Sequence, residues 1–406
     1  MVISHSFETL GNASILLREN GRPILATDPR LFGTCYFGSW ALDNPLSAEQ
    51  AAPMRQAEYY WISHWHPDHL QPPSLATLPR GAKILLPDHY SSEIAPGLRA
   101  DGFDVTVLSY RAWFELFPGV RVMCMDNPNQ DGILLIQAGA SLIVNLHDLP
   151  WSGESGVTRR RFPLEKTHLF TLFAIDADMF DFVDASGSSL AGPPGERKCG
   201  MIWRTASLAE NPGIGALCVS SSQHMYIRAD SVGSNPHRID LGDMRAHWHR
   251  PGVALAEPFV TVGLDTDASI STCPDRPLPH RRRGIEFEVP RRSLMETVTW
   301  GCFNDLLIGN FMRARLINAR LYPRFTPLVS KIGGNAKVFT GPGYVPFLLR
   351  YLRRNPPGTI AALLFIELDQ VVAPCRWQAA GRTGVKGPLK YIYRRMLGDP
   401  VVSDLS

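Results

Sequence analysis

Ser63-His64-Trp65-His66-Pro67-Asp68-His69 gathers three imidazoles and a carboxylate into one short span. His64 and His66 are two apart, so on extended backbone they project to the same side and can chelate one ion together. Asp68 and His69 follow in the turn and can serve a second ion. Buried or surface histidines with ordinary polar roles explain a lone imidazole well, and this density poorly. His64, His66, Asp68 and His69 are therefore candidate ligands of a metal centre. His247-Trp248-His249 repeats the spacing without a carboxylate and is read as structural.

The cluster needs elements that hold it. Tyr59-Tyr60-Trp61-Ile62 is an apolar strand signal ending directly at the histidines, and Pro72-Pro73-Ser74-Leu75 can open a helix beyond them. Upstream, Ala13 to Leu17 and Pro23 to Ala26 flank Asn20-Gly21, the dipeptide that accepts the positive φ of a tight hairpin. Further strand signals lie at Ala82 to Pro87 and Val105 to Ser109, and Gly132 to Ile136 can pair with Ser141 to Asn145. With interspersed helical stretches, these predict a layered α/β fold. The Gly-, Ser- and Pro-rich stretch Ala185 to Gly195 reads as a surface loop, and Pro346 to Arg353 as helix.

At 406 residues and 45% hydrophobic content the chain can bury a large core. Its 41 basic and 38 acidic residues leave a formal charge of +3, a weak field that favours neither nucleic acid nor a membrane as partner. No apolar run approaches the roughly 20 residues of a membrane span. Seven scattered cysteines without CxxC spacing suit reduced thiols, and the start of the sequence carries no secretory pattern, so a cytoplasmic enzyme acting on a small molecule is expected. His280-Arg281-Arg282-Arg283 is read as a solvated loop with a faint lean towards an anionic substrate.

HxHxDH after an apolar strand, preceded by Thr27-Asp28-Pro29, resembles the metallo-β-lactamase superfamily. Leu10-Gly11-Asn12-Ala13-Ser14 and Ile62 to Leu70 are most similar to the branch holding CMP-N-acetylneuraminate hydroxylase, the ascorbate-phosphate lactonases and N-acylphosphatidylethanolamine phospholipase D. The likeness covers residues 6 to 150 and fades afterwards. It implies an αββα sandwich over residues 1–272, with a smaller C-terminal extension, residues 273–406, of strand and helix that can complete the sandwich.

It also implies the remaining ligands. Asp148 falls where the family places a carboxylate between two ions, and His224, after Leu217 to Gln223, where it places its last histidine. Where the family has a further histidine before the hairpin, this chain has Asp126-Asn127-Pro128-Asn129-Gln130-Asp131. Asn127 stands in that place as a candidate catalytic residue. Asp126 or Asp131 can supply a carboxylate instead, or His147 can turn inward as a second catalytic candidate. Arg228 and Asp230 either orient substrate or pair with each other, and pairing is the expectation.

An amide oxygen is a poorer zinc ligand than an imidazole, whereas oxygen-rich shells suit iron or manganese. Two divalent ions are therefore expected, iron ahead of zinc or manganese. The activity expected is a di-iron oxygenase hydroxylating a small polar or anionic substrate, with an external electron donor. The alternative is a metal-dependent hydrolase of an ester, lactone, amide or phosphodiester; a non-catalytic binding protein with a degenerate site is the third.

Overall fold

A computed structural model describes residues 4–149 apart from 91–92 and 129, most of 166–264, and then 287–288, 291–300, 305, 308–309, 313–315 and 341–360. The basic run at 280–283 and most of the Gly-, Ser- and Pro-rich stretch lie outside the described residues.

In chain order the first part supplies β1 (His5–Thr9), β2 (Ile15–Glu19), β3 (Arg22–Thr27), β4 (Thr34–Cys35), β5 (Trp40–Leu42), α1 (Ala48–Arg55), β6 (Tyr59–Trp61), α2 (Pro72–Leu75), β7 (Lys83–Pro87), α3 (Ile94–Ala100) and β8 (Asp104–Leu108). Then come β9 (Trp113–Phe117), β10 (Val120–Asp126), β11 (Gly132–Ala138), β12 (Ser141–Asn145), β13 (Thr167–Leu172), β14 (Phe182–Val183), α4 (Pro194–Leu208), β15 (Ala216–Ser220), β16 (His224–Tyr226), α5 (Leu241–His247), β17 (Ala254–Ala256) and β18 (Thr261–Gly263). The last described elements are β19 (Phe287–Glu288), α6 (Arg291–Trp300), β20 (Arg313–Arg315) and α7 (Gly341–Arg354).

Two seven-stranded sheets form, in the orders β18-β1-β2-β3-β6-β7-β8 and β17-β15-β13-β12-β11-β10-β9. Their facing sides share one apolar layer, in which Phe7, Leu17, Trp61 and Leu85 of the first meet Val122, Leu134, Ile143 and Phe170 of the second. On the outer side of the first sheet, Tyr60, Ile62 and Ile84 pack with Met54 of α1 and Leu98 of α3. On that of the second, Leu135, Val144 and Leu217 pack with Met201 of α4 and Met244 of α5. This is the αββα order that the resemblance implies. Both sheets are covered on two faces, which explains why β11 and β12 read as continuous apolar runs instead of alternating.

The hairpin at Asn20-Gly21 is present, with φ of +49° and +80°. After β3 the first sheet turns parallel, β3-β6-β7-β8, and the second does so after β12, through β13, β15 and β17. Parallel neighbours align their carboxyl ends, and such ends are where α/β sheets bind ligands. Asp28 follows β3, His64 follows β6, His89 follows β7, and His147 and Asp148 follow β12. Asp131 precedes β11, which runs antiparallel to β12 and so delivers it to the same edge.

Gly132 is the tightest point of that edge. Its N–H donates to the Ser63 carbonyl at 3.1 Å, and a Cβ there would lie 2.9 Å from Trp61 Cζ2 and 3.0 Å from Pro87 Cγ. Gly132→Ala is expected to cost about 1–3 kcal/mol by overpacking. Denaturant midpoints of the two proteins measure this, and equal midpoints would show that the sheets do not press together here.

Candidate metal centre

Asp28 sits under the cluster, with no exposed surface. Ser63 donates to it through N (2.8 Å to Oδ1) and Oγ (2.7 Å to Oδ2). His69 Nδ1 and His147 Nδ1 lie 2.7 and 2.8 Å from the same Oδ2. Burial alone would raise the Asp28 carboxyl, but the His147 and His69 rings outweigh it and hold the group well below the usual carboxylate range.

These contacts set the tautomers above them. With Nδ1–H of His69 directed at Asp28, its Nε2 lone pair points outward. The Ser63 hydroxyl, having donated to Asp28, accepts from His64 Nδ1 at 2.9 Å, so His64 Nε2 also faces outward. There it stands 2.8 Å from His66 Nδ1, 3.6 Å from Asp131 Oδ1 and 3.6 Å from Asp148 Oδ2. His69 Nε2 stands 3.2 Å from Asp148 Oδ2 and 3.4 Å from Asp68 Oδ2. Asp68 is held by the Tyr36 hydroxyl (2.8 Å) and the Asn12 amide (3.1 Å).

Two adjoining groups of donors face outward, His64/His66/Asp131 and His64/His69/Asp148, with Asp68 beside the second; a third, Asp28/His69/His147, lies beneath them, where the Nδ1 atoms of His69 and His147 already contact Asp28. A tetrahedral ion bound at about 2.0–2.2 Å separates its donors by about 3.4 Å, close to these spacings. The buried Asp148 Oδ1 has no hydrogen-bond partner, the condition of an atom aimed at a cation. Four carboxylates, Asp28, Asp68, Asp131 and Asp148, surround the cluster; two divalent cations would balance their charge. The residues fit a binuclear centre.

Burial opposes charging His69, but Asp148, Asp68 and Asp28 together raise it well above the ordinary histidine value in the absence of an ion. Asp68 is likewise opposed by burial and held low by His69, Arg30 and His66. His64 is pushed well below the usual value, first by burial and then by neighbouring imidazoles, and is neutral.

Several expectations change. Asp131, not Asn127, is the side chain that reaches His64; Asn127 opens the loop, its carbonyl accepting from Gln130 N at 3.0 Å. A carboxylate occupies the place that the amide was expected to fill. His147 does not face the site. Trp61 Nε1 donates to its Nε2 at 3.1 Å while its Nδ1 contacts Asp28, so both nitrogens are turned into the scaffold. His224 is buried in the same region, stacked on Trp40 with ring centroids 3.6 Å apart, and falls in neither donor group. One expectation holds: Arg228 pairs with Asp230 at 2.7 Å. Tyr36, Trp61 and Ser63 carry no sequence signal of their own; Asp28 had one, in Thr27-Asp28-Pro29, but no role could be read from it.

No protein-family model matches the chain, and no curated protein matches its sequence. Solved structures similar in outline include a metallo hydrolase from the hyperthermophilic archaeon Ignicoccus hospitalis, 12% identical, covering 66% of this chain and 99% of its own with a TM-score of 0.42. The metallo-beta-lactamase fold protein YhfI from Bacillus subtilis is 9% identical, covering 64% of this chain and 100% of its own with a TM-score of 0.40. The isothiocyanate hydrolase from Delia radicum gut bacteria is 13% identical, covering 66% and 99% with a TM-score of 0.39. Likeness this distant says nothing of chemistry. Among the described residues no helix is long and apolar enough to cross a membrane.

Asp148, Asp68 and Asp28 favour the charged form of His69, so an ion entering between His69, Asp68 and Asp148 is expected to displace a proton there. Zinc binding is therefore expected to release about one proton from that side and to tighten as pH rises, by at most about tenfold per pH unit. Calorimetric titrations in buffers of different ionisation enthalpy measure the release, and an affinity flat in pH would contradict it.

Proposed function

We propose that the chain is a binuclear metal-dependent hydrolase of an ester, lactone, amide or phosphodiester. The observation that carries this reading is Asp131 beside His64 and His66, since two histidines and a carboxylate are a donor set of catalytic zinc hydrolases. His64, His66 and Asp131 would hold one ion, Asp68 and His69 the other, and Asp148 would lie between them. Divalent ions so held lower the pKa of bound water towards neutrality and polarise a carbonyl or phosphoryl oxygen.

The chain's own groups do the positioning. Asp28 keeps His69 in the tautomer that offers Nε2, and Ser63 does the same for His64. Tyr36 and Asn12 donate to Asp68 and fix its direction. His224, kept neutral chiefly by burial and further by Arg238 and Arg30, has its Nδ1 without a hydrogen-bond partner. It would complete the Asp68/His69 side, and the flat Trp40 ring would hold it there.

The oxygenase, expected first from the sequence, becomes the second reading, kept for one specific reason: two histidines and one carboxylate also serve non-haem iron oxygenases. Asp131 replaces the amide in that argument with another oxygen donor, so the donor set alone does not choose between zinc and iron. The metal content of protein purified without added metal, followed by assay of the zinc, manganese and iron forms on ester, lactone, amide and phosphodiester substrates, separates the two. Hydrolysis without oxygen is expected, with Asp131→Asn lowering kcat/KM by about 100-fold or more, the scale of about 2.7 kcal/mol in transition-state stabilisation. Oxygen consumption by the iron form with a reductant, and no hydrolysis by any form, would reverse the order.

A further inference from the structure

The C-terminal part of the chain sends one helix onto the loops that carry the centre. α7 buries Phe347 and Tyr351, and its Tyr351 hydroxyl reaches Gln130, the neighbour of Asp131. With the Gln130 amide turned so that its nitrogen donates to the Tyr90 carbonyl (3.0 Å), its oxygen accepts from the Tyr351 hydroxyl at 2.5 Å. Gln130 has a φ of +64°, a backbone region disfavoured for any residue with a Cβ. Such a conformation persists only where its surroundings impose it.

The same helix grips a second loop. Arg350 pairs with Asp88 at 2.7 Å, and Arg354 donates to the Asp88 carbonyl at 2.9 Å and also pairs with its carboxylate. His89, next in the chain, lies with Nε2 3.1 Å from the Ser63 carbonyl, which also accepts from Gly132 N at 3.1 Å. Asp131 is thus held on one side by Gln130 and on the other by Gly132, and contacts leading from α7 reach both. Apolar packing of Phe347 is enough to dock a helix, but it does not account for a hydroxyl placed on the residue beside the carboxylate.

We propose that α7 clamps the Asp131 loop, with Tyr351 as a positioning residue for the ion on the His64/His66/Asp131 side. The inference rests on the metal-centre reading above. Its consequence is that residues more than 200 positions apart in sequence set the affinity of one ion and leave the other alone.

The test uses the full chain as wild type, as Tyr351→Phe and as the double variant Arg350→Ala, Arg354→Ala. Each is stripped of metal and titrated with zinc against a competing chelator, and the melting of the metal-free form is recorded. Wild type is expected to bind two ions. Tyr351→Phe is expected to weaken one of them by about tenfold or more, the cost of losing a partner that orients a ligand, with the other ion and the metal-free melting unchanged. The cobalt form of that variant should show an altered visible spectrum. Two ions at wild-type affinity in Tyr351→Phe would overturn the clamp while leaving the centre intact. Equal weakening of both ions with a lower metal-free melting temperature would also overturn it, by reducing Tyr351 to general stability. A wild type that binds no zinc, manganese or iron would remove the metal centre and the clamp together. Should the double variant fail to fold, Tyr351→Phe alone decides.

Discussion

The Asp28 carboxylate lies out of reach of water, and Ser63 N, Ser63 Oγ, His69 Nδ1 and His147 Nδ1 converge on its two oxygens. An ionised carboxylate in such a place costs several kcal/mol unless it is paired and hydrogen-bonded, so those donors are a condition of its burial. Satisfying them fixes which nitrogen of His69 carries the proton and, through Ser63, which nitrogen of His64 does. One buried charge between β3 and β6 thereby determines that two imidazoles present lone pairs outward. Trp61 adds the same constraint from below, since its indole N–H occupies His147 Nε2 and leaves Nδ1 for Asp28.

Above this support the chemistry is governed by charge. Three carboxylates, Asp68, Asp131 and Asp148, face His64 and His69 across distances of 3.2–3.6 Å. Without cations the assembly holds a proton on His69; with them, each donor atom meets positive charge. The substitution of a carboxylate for the expected histidine adds one negative charge to the His64/His66 side. That change favours a doubly charged ion there and sets three carboxylates beside the three imidazoles.

How much of this could be read in advance depends on whether the signal is local. His64, His66, Asp68 and His69 share one turn after an apolar strand, so spacing alone exposes them. Asp148 was placed by resemblance, and the parallel β12–β13 pairing brings it to the strand ends where His64 already stands. The layers were legible because apolar runs and turn residues report burial and chain reversal directly. Sequence leaves Asp131 as one option among three, because the choice depends on the left-handed backbone of Gln130 and on the close fit of Gly132, neither of which composition reveals. The inward turn of His147, another of the three options, fails for a similar reason: with a φ of +52° its ring contacts Asp28, against the direction that its neighbour Asp148 suggests. The part played by α7 depends on contacts across more than 200 residues, for which one sequence carries no signal.

The central claim is that Asp131 completes a carboxylate–histidine binuclear centre with Asp148 between the ions. Anomalous diffraction from crystals grown with zinc tests it most directly. The account predicts two anomalous peaks, one within about 2.0–2.2 Å of His64 Nε2, His66 Nδ1 and an Asp131 oxygen, the other at similar distances from His69 Nε2 and Asp68, with Asp148 touching both. A single peak, or an Asp131 carboxylate turned away from an ion held by His64 and His66, would contradict it.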